Sequence, residues 1–291
     1  MNELELADSF DRHRPQLRGL AYRILGSVSE AEDAVQEAWL RLARTDAEQI
    51  DSLERWLTTV VSRICLNILR SRRTRGEQPL DSWRPEPIID DPAAGTDPEH
   101  EALLAESVGI ALQVVLDTLS PAERLAFVLH DMFALPFAEI AAMVDRSPQA
   151  TRQLASRARR HVREAAPAPD ADLTRQQAVV DAYFAAARDG DLEALAAVLD
   201  PDVVLRAHRR DGDPIELRGA RRVAAGAMSA RRFASYVRPA LINGAAGVVA
   251  FDGARPFAVL AFTVIDERAV AIDVFNNPEL VAKLDIHGIT A

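Results

Sequence analysis

The tract "GEQPLDSWRPEPIIDDPAAGTDPEH", residues 76–100, limits what this chain can fold into more than any other feature. Pro79, Pro85, Pro87, Pro92 and Pro98 each lack a backbone donor and push the preceding residue out of the helical region. The tract is therefore expected to be an extended linker, ordered mostly by what it touches. A shorter stretch, "APAPDAD" at 166–172, interrupts the chain again. The 291 residues thus fall into three blocks, with boundaries expected at 1–76, 77–98 (linker), 99–165, 166–173 (linker) and 174–291.

Charge and cysteine usage narrow the functions available. A formal net charge of -10 argues against tight autonomous binding to nucleic acid, because phosphate neutralisation supplies most of that affinity. Any DNA-binding surface must be local, or must work beside a partner. The opening "MNELELADSF" is acidic and has no apolar core, so no export signal is expected. No apolar run reaches the roughly 18 residues of a membrane span, so no membrane association is expected. Cys65 is the single cysteine and has no partner for an internal disulfide, which fits a reducing cytoplasm. The six histidines stand singly, and neither a metal site nor a cofactor is expected.

The first block reads as helical. In "SEAEDAVQEAWLRLAR", Ser29 followed by Glu32 forms a capping-box pattern worth about 1 kcal/mol. Val35, Trp39 and Leu42 then make one buried stripe, leaving Glu30, Asp33, Glu37 and Arg41 on other, largely acidic faces. A second helix, "ERWLTTVVSRICLNILRSRRTR", is expected to bury Trp56, Val60, Ile64 and Ile68. Arg63, Arg70, Arg72, Arg73 and Arg75 load its second half with positive charge. One or two arginines would complement the helix dipole, and five exceed that need.

In the second block, Ser120-Pro121-Ala122-Glu123 is a helix start with proline at the first position and the acid at the third. Pro136 breaks that helix, "FAEIAAMV" forms a short one, and Ser147-Pro148 starts another after the turn "DRS". Two helices joined by a tight turn, the second basic, make a helix-turn-helix signature. Asp145 occupies the turn position where glycine is usual, and aspartate is among the few residues that tolerate a left-handed backbone. Leu154, Ala158 and Val162 face the core, while Arg152, Ser156, Arg159, Arg160 and Arg163 fall on the other side. That side is either a major-groove surface or a solvated basic face.

The third block begins with a helix carrying Val179, Val180, Tyr183 and Phe184, which ends near Arg188-Asp189-Gly190. A second helix is expected to hold Leu192, Leu195 and Leu199. The runs "YVRPALI", "GVVAF", "FAVLAFTVI" and "AVAIDVF", separated by Gly/Asp turns, read as strands. Helices followed by antiparallel strands make an α+β unit, a curved sheet folded over its helices with room for an apolar pocket.

Several of these motifs carry a family resemblance. The run Asp33-Ala-Val-Gln36-Glu37-Ala-Trp39-Leu-Arg41 resembles region 2 of bacterial sigma factors, and the helix-turn-helix resembles their region 4. The absence of other sigma regions between them matches the extracytoplasmic-function group. The third block resembles SnoaL-like domains, so the chain is similar to the subgroup that carries such a domain at its C-terminus. "SWRPEP" resembles that subgroup's W-L-P-E-P signature, with Arg84 where leucine is usual. Asn277-Pro278-Glu279-Leu280 resembles its N-P-D-K-L tail, whereas the subgroup's D-G-G-G element is replaced by Asp211-Gly212-Asp213-Pro214.

The resemblance implies a fold of two all-α sigma domains followed by a cone-shaped α+β domain. It implies a factor that binds core RNA polymerase through Asp33, Gln36, Glu37 and Arg41 and recognises promoter DNA. The loop "DAEQIDSLE" and the helix after it would take the −10 element, with Arg63, Arg70, Arg72 and Arg73 on phosphates. Asn67 would either bond a base edge or cap a neighbour. Arg152, Gln153, Ser156 and Arg157 would read the −35 element, one bidentate contact being worth about 1–3 kcal/mol, with Arg159, Arg160 and Arg163 as positioning contacts. Trp83, Pro85, Glu86 and Pro87, with Asn277, Pro278 and Leu280, would form an interdomain contact through which the last domain modulates promoter engagement in cis.

Other SnoaL-like relatives are enzymes that pair a carboxylate base with a tyrosine. Tyr183 holds the tyrosine position here, but the base position falls on Ala207, and neither His208 nor Asp211 replaces it. No catalysis is expected, and Tyr183 is expected to be a packing residue with a satisfied hydroxyl. The competing reading is a ligand-responsive helix-turn-helix regulator acting without a sigma role, which would leave the first helical block without a purpose.

Overall fold

The computed structural model describes residues 3–45, 50–75, 85–92, 109–165, 170, 172–208, 215–286 and 289. The chain divides into two compact units: a helical one, and an α+β one made chiefly of Pro167–Ala291 that also takes in Pro87–Thr96 and Gly109–Ala111.

In the helical unit, α1 (Glu3–Leu25), α2 (Val28–Leu42) and α3 (Leu53–Arg75) form the first bundle. Gly26, at φ +72°, stops α1, and Ser27 in an extended conformation caps α2 by accepting from the Glu30 N–H. The cap is thus Ser27 and not Ser29. Only Gly26 and the extended Ser27 separate the helices, so Ser29 already lies inside α2 and its hydroxyl faces that of Ser27 at 3.0 Å. Val35 and Leu42 are buried, and Trp39 is half-buried against the Phe10 ring. In α3 the fully buried row is Leu57, Val61 and Cys65, flanked by Ile64 and Leu69. Trp56, Val60 and Ile68 are only half-buried. The apolar face of α3 is broad enough to hold two adjacent rows, and periodicity alone did not say which one points inward.

The second half of this unit contains α4 (Ile110–Thr118), α5 (Pro121–Phe127), α6 (Phe137–Val144) and α7 (Pro148–Ala165). Ser120 and Glu123 form the expected capping box. A π-helical turn, Val128–Met132, prolongs α5 before Pro136 starts α6. Asp145 is left-handed (φ 57°, ψ 50°), which lets the chain turn between α6 and α7. Thr151, Ala155 and Ala158 are the fully buried face of α7, with Leu154 and Val162 half-buried beside them.

The two bundles meet at the C-terminus of α1, whose last carbonyls lack partners within the helix. Gln113 of α4 donates to the carbonyls of Tyr22 and Arg23, at 3.4 and 3.3 Å. Arg124 of α5 donates to the Arg23 carbonyl through Nε and Nη2 (3.2 and 3.1 Å) and pairs with Asp117 through Nη1. A Cβ at Gly26 would lie 3.2–3.3 Å from Gln113, Arg124 and Asp117. The left-handed glycine is therefore also what lets these polar groups close on the helix end.

In the α+β unit, α8 (Leu173–Asp189) is capped by Asp172 and ended by left-handed Gly190. The short α9 (Leu192–Ala197) follows. Leu199 does not belong to this helix; it opens strand β2 (Leu199–His208), where it is buried. With β1 (Ile89–Asp90), β3 (Ile215–Arg218), β4 (Val237–Ile242), β5 (Ala245–Asp252), β6 (Arg255–Ile265) and β7 (Arg268–Phe275), the sheet runs β1-β4-β5-β6-β7-β2-β3. Every pairing is antiparallel except β2 with β7. Helix α10 (Ala220–Ser229) lies between β3 and β4, and α11 (Pro278–Val281) follows β7. Val180, Tyr183 and Phe184 of α8 pack with Leu195, Val203, Phe262 and Ile272 in one core.

The edge strand β1 comes from the proline tract. Ile88 exchanges both backbone groups with Asn243, donating to its Oδ1 (3.0 Å) and accepting from its N–H (2.8 Å), and Ile89 and Asp90 then pair with Ile242 and Leu241. Among the described residues no helix is long and apolar enough to cross a membrane.

Candidate nucleic-acid interface

Helix α2 presents Asp33, Gln36 and Glu37 to solvent, with Arg41 exposed and bonded to the Glu37 carboxylate at 2.9 Å. Leu40, 42% exposed, lies beside them. This is an open acidic face carrying one apolar side chain, suited to a basic protein surface.

On α3, Arg63, Asn67, Arg70 and Arg73 are exposed. Asn67 and Arg73 make no hydrogen bond or ion pair among the described residues. Arg63 donates to the Ala142 carbonyl at the end of α6 (3.3 Å), and Arg70 lies 3.7 Å from Asp145. Arg72 points the other way: it is ion-paired with Glu30 of α2 and donates to the Leu25 carbonyl at 3.3 Å. With its side chain 15% exposed, Arg72 braces the first bundle. Asp46 to Gln49, the first part of the loop before α3, lie outside the described residues.

On α7, Arg152, Gln153, Ser156, Arg157, Arg160 and Arg163 are exposed and Arg159 is half-exposed. Arg152 stacks over the Phe137 ring at 5.4 Å. Arg157 bonds Glu123 at 2.8 Å, and Arg159 grips Asp131 through two nitrogens, at 2.7 and 3.3 Å. Exposed ion pairs of this kind are worth about 0–1 kcal/mol, so a phosphate can displace either partner. Glu123 itself is held below the usual glutamate pKa. Burial works to raise it, but hydrogen bonds from Ser120 and Arg157 outweigh that.

The proline tract contributes through Pro85, Glu86 and Pro87; Trp83 lies outside the described residues. Pro85 and Pro87 are buried. Glu86 docks on the first bundle by three bonds: its N–H to the Gly26 carbonyl (2.9 Å), its carbonyl to the Tyr22 hydroxyl (2.8 Å), and its carboxylate to the Val28 N–H (2.9 Å). At the other end of the chain, Asn277 is buried and caps α11, accepting from Glu279 and Leu280, while Pro278 is exposed and Leu280 buried. Asp211 to Pro214 lie outside the described residues.

Two features escaped the sequence. The Gln113–Arg124 clasp on α1 joins residues about ninety to a hundred positions apart, and nothing in either helix's periodicity marks it. Tyr183 also differs from expectation: it is buried at 3% exposure, yet its hydroxyl has no hydrogen-bond partner among the described residues. It lines an apolar cavity instead. The apolar pocket expected of this unit is present, and the Tyr183 ring packs edge-on against Phe184 and Phe262 at its wall.

Models of Sigma-70 region 2 and Sigma-70 region 4 match residues 10–75 and 110–162. The chain is 39% identical to the ECF RNA polymerase sigma factor SigJ of Mycobacterium tuberculosis, over 93% of this chain and 91% of that protein. It is 35% identical to the probable ECF sigma factor SigI of the same species, over 94% and 93%. The crystal structure of M. tuberculosis SigJ covers 96% of this chain and 99% of its own, with a TM-score of 0.76 at 34% identity. With both sigma regions in order and relatives matched along nearly their full length, the chain belongs to the extracytoplasmic-function RNA polymerase sigma factors.

Proposed function

We propose that the acidic face of α2 docks this sigma factor on core RNA polymerase and that α3 and α7 take the −10 and −35 promoter elements. The observation that carries this is the exposed face of α7. Arg152, Gln153, Ser156, Arg157 and Arg160 stand on one side of a helix whose opposite side is buried, behind a left-handed Asp145 turn. On α3 the DNA set is Arg63, Asn67, Arg70 and Arg73, with Arg72 serving them from within. Because Arg63 and Arg70 engage the α6–α7 corner in the free chain, promoter engagement requires those contacts to open. The work takes place in the cytoplasm, where the polymerase is.

The α+β unit acts as a control domain in cis, through Trp83 to Pro87 and Asn277 to Leu280, and holds a small molecule. The support is that the proline tract feeds Glu86 into the first bundle and Ile88 into the sheet edge, with only Pro87 between them. Run-off transcription with core polymerase tests both parts, comparing the full chain with a truncation after Ala165. Promoter-specific transcript from the full chain supports the sigma assignment, and a changed yield from the truncation supports cis control. If Trp83→Ala and deletion after Asn276 both leave transcription unchanged, the control reading is wrong.

A further inference from the structure

The arginines on the open side of α7 are held in two different ways. Arg157 spends Nε on Glu123, and Arg159 spends Nε and Nη2 on Asp131. Arg152 pairs with no carboxylate among the described residues; its guanidinium lies over the Phe137 ring, 5.4 Å from the centroid. The same ring is stacked on His130, with centroids 3.8 Å apart and planes at 29°. His130 is fixed in turn. A carbonyl can only accept, so the His130 Nδ1–H donates to the Leu135 oxygen at 2.9 Å. Ala134, left-handed at φ 53°, folds the chain back, and the Leu135 N–H bonds the Leu129 carbonyl at 2.9 Å. Pro136 then starts α6, with Phe137 as its first residue. His130 and Asp131 both stand on the π-helical turn Val128–Met132, a kind of insertion that recurs at functional sites. Through them this turn sets two arginines that lie seven residues, or about two helical turns, apart on α7. Asp131 grips Arg159 directly, and His130 backs the ring that carries Arg152.

We infer that Phe137, backed by His130, is a positioning residue for promoter recognition, aiming Arg152 at a guanine of the −35 element. This rests on the reading of α7 as the −35 helix. An ion pair consumes the N–H donors of a guanidinium, whereas a ring face holds the cation and leaves them free. Arg152 therefore keeps the fork of donors that guanine O6 and N7 require, and Arg157 and Arg159 do not. Position along the helix agrees. Arg152 is the fifth residue of α7, within the N-terminal turns that reach base edges in a helix-turn-helix. Arg159, the twelfth, stands two turns further along. A long exposed side chain also gives up rotamer freedom when it binds, and the ring removes part of that cost beforehand.

The full chain, reconstituted with core polymerase, is challenged with a DNA pool randomised at both the −35 and −10 elements. Templates held in heparin-resistant complexes are sequenced. Wild type is expected to enrich guanine at one −35 position, and Arg152→Ala to lose that preference. Phe137→Leu should lower it about twofold to fivefold, the value of a cation–π contact at an exposed site. Preferences at the other −35 positions and throughout the −10 element should stay as in wild type. Phe137→Tyr keeps the ring face and should restore the preference, and His130→Ala should weaken it at the same position. If far-ultraviolet dichroism shows that Phe137→Leu does not fold, His130→Ala carries the test. A guanine preference that survives Arg152→Ala, an equal decline at every position, or no rescue by Phe137→Tyr overturns the inference. Failure of the underlying reading looks different. If wild type enriches no −35 sequence, the assignment of α7 falls. If Arg152→Ala removes a preference that Phe137→Leu leaves intact, that assignment stands and only the positioning role falls.

Discussion

The carboxylate of Glu86 accepts a hydrogen bond from the backbone N–H of Val28 at 2.9 Å, so a residue of the proline tract completes the N-terminus of α2. Ser27 satisfies one orphan donor of that helix and Glu86 another, and a negative charge there also suits the helix dipole. The helix so fixed is the one that carries Asp33, Gln36 and Glu37. Glu86→Ala should cost about 1 kcal/mol, as the loss of a cap does. Hydrogen exchange provides the check: the Val28 amide should exchange faster in the variant while amides in the middle of α2 keep their protection.

Arg124 is a buried charge of the helical unit that spans two partners. It is 3% exposed and spends Nε, Nη1 and Nη2 on the Arg23 carbonyl and Asp117. Arg124→Ala strands the half-buried Asp117 carboxylate and leaves the Arg23 carbonyl to Gln113 alone, a loss of about 3–5 kcal/mol. Arg124→Lys should recover little, because an ammonium has no fork to span both partners. Denaturant unfolding of the two variants beside wild type gives the comparison, and near-native stability in Arg124→Lys would refute the fork argument.

The capping box of α5 gives region 4 a pH dependence of known sign. Glu123 has its pKa lowered in the folded chain, so the stability it contributes is fully present above the unfolded glutamate value, about 4.3. That stability is lost as pH falls through the lower folded value. Melting curves taken from neutral pH down into this acid range should show the loss. Glu123→Gln should be less stable at neutral pH and should flatten the acid limb, and an unchanged acid limb would show that other carboxylates govern it.

Gly247 in β5 tests the packing of the sheet. A Cβ there would sit 2.5 Å from both Ile242 Cγ1 and the backbone oxygen of Leu260. The oxygen belongs to the neighbouring strand and cannot yield without breaking the ladder. Gly247→Ala should therefore destabilise the α+β unit by about 1–3 kcal/mol, an overpacking penalty. Thermal unfolding followed by near-ultraviolet dichroism reads it directly.

Much of this molecule was determined by local chemistry. The Ser120-Pro121-Ala122-Glu123 and Ser147-Pro148 starts placed α5 and α7, and Asp145 supplied the left-handed turn. Alternating apolar runs located β4 to β7, and the polar side of α7 was legible because helical period separates Arg152, Ser156 and Arg160 from Ala155 and Ala158. What only the tertiary structure decided depends on groups distant in sequence. Which row of α3 is buried depended on the helices beside it. Arg72 pairs with Glu30 and the Leu25 carbonyl, where Arg70 and Arg73 of the same helix are exposed, because those partners stand within its reach. Ile89 and Asp90 became a strand because β4 offered an open edge. Among the described residues Tyr183 is the one buried polar side chain lining the cavity of the α+β unit, and periodicity along a chain carries no record of where two surfaces part.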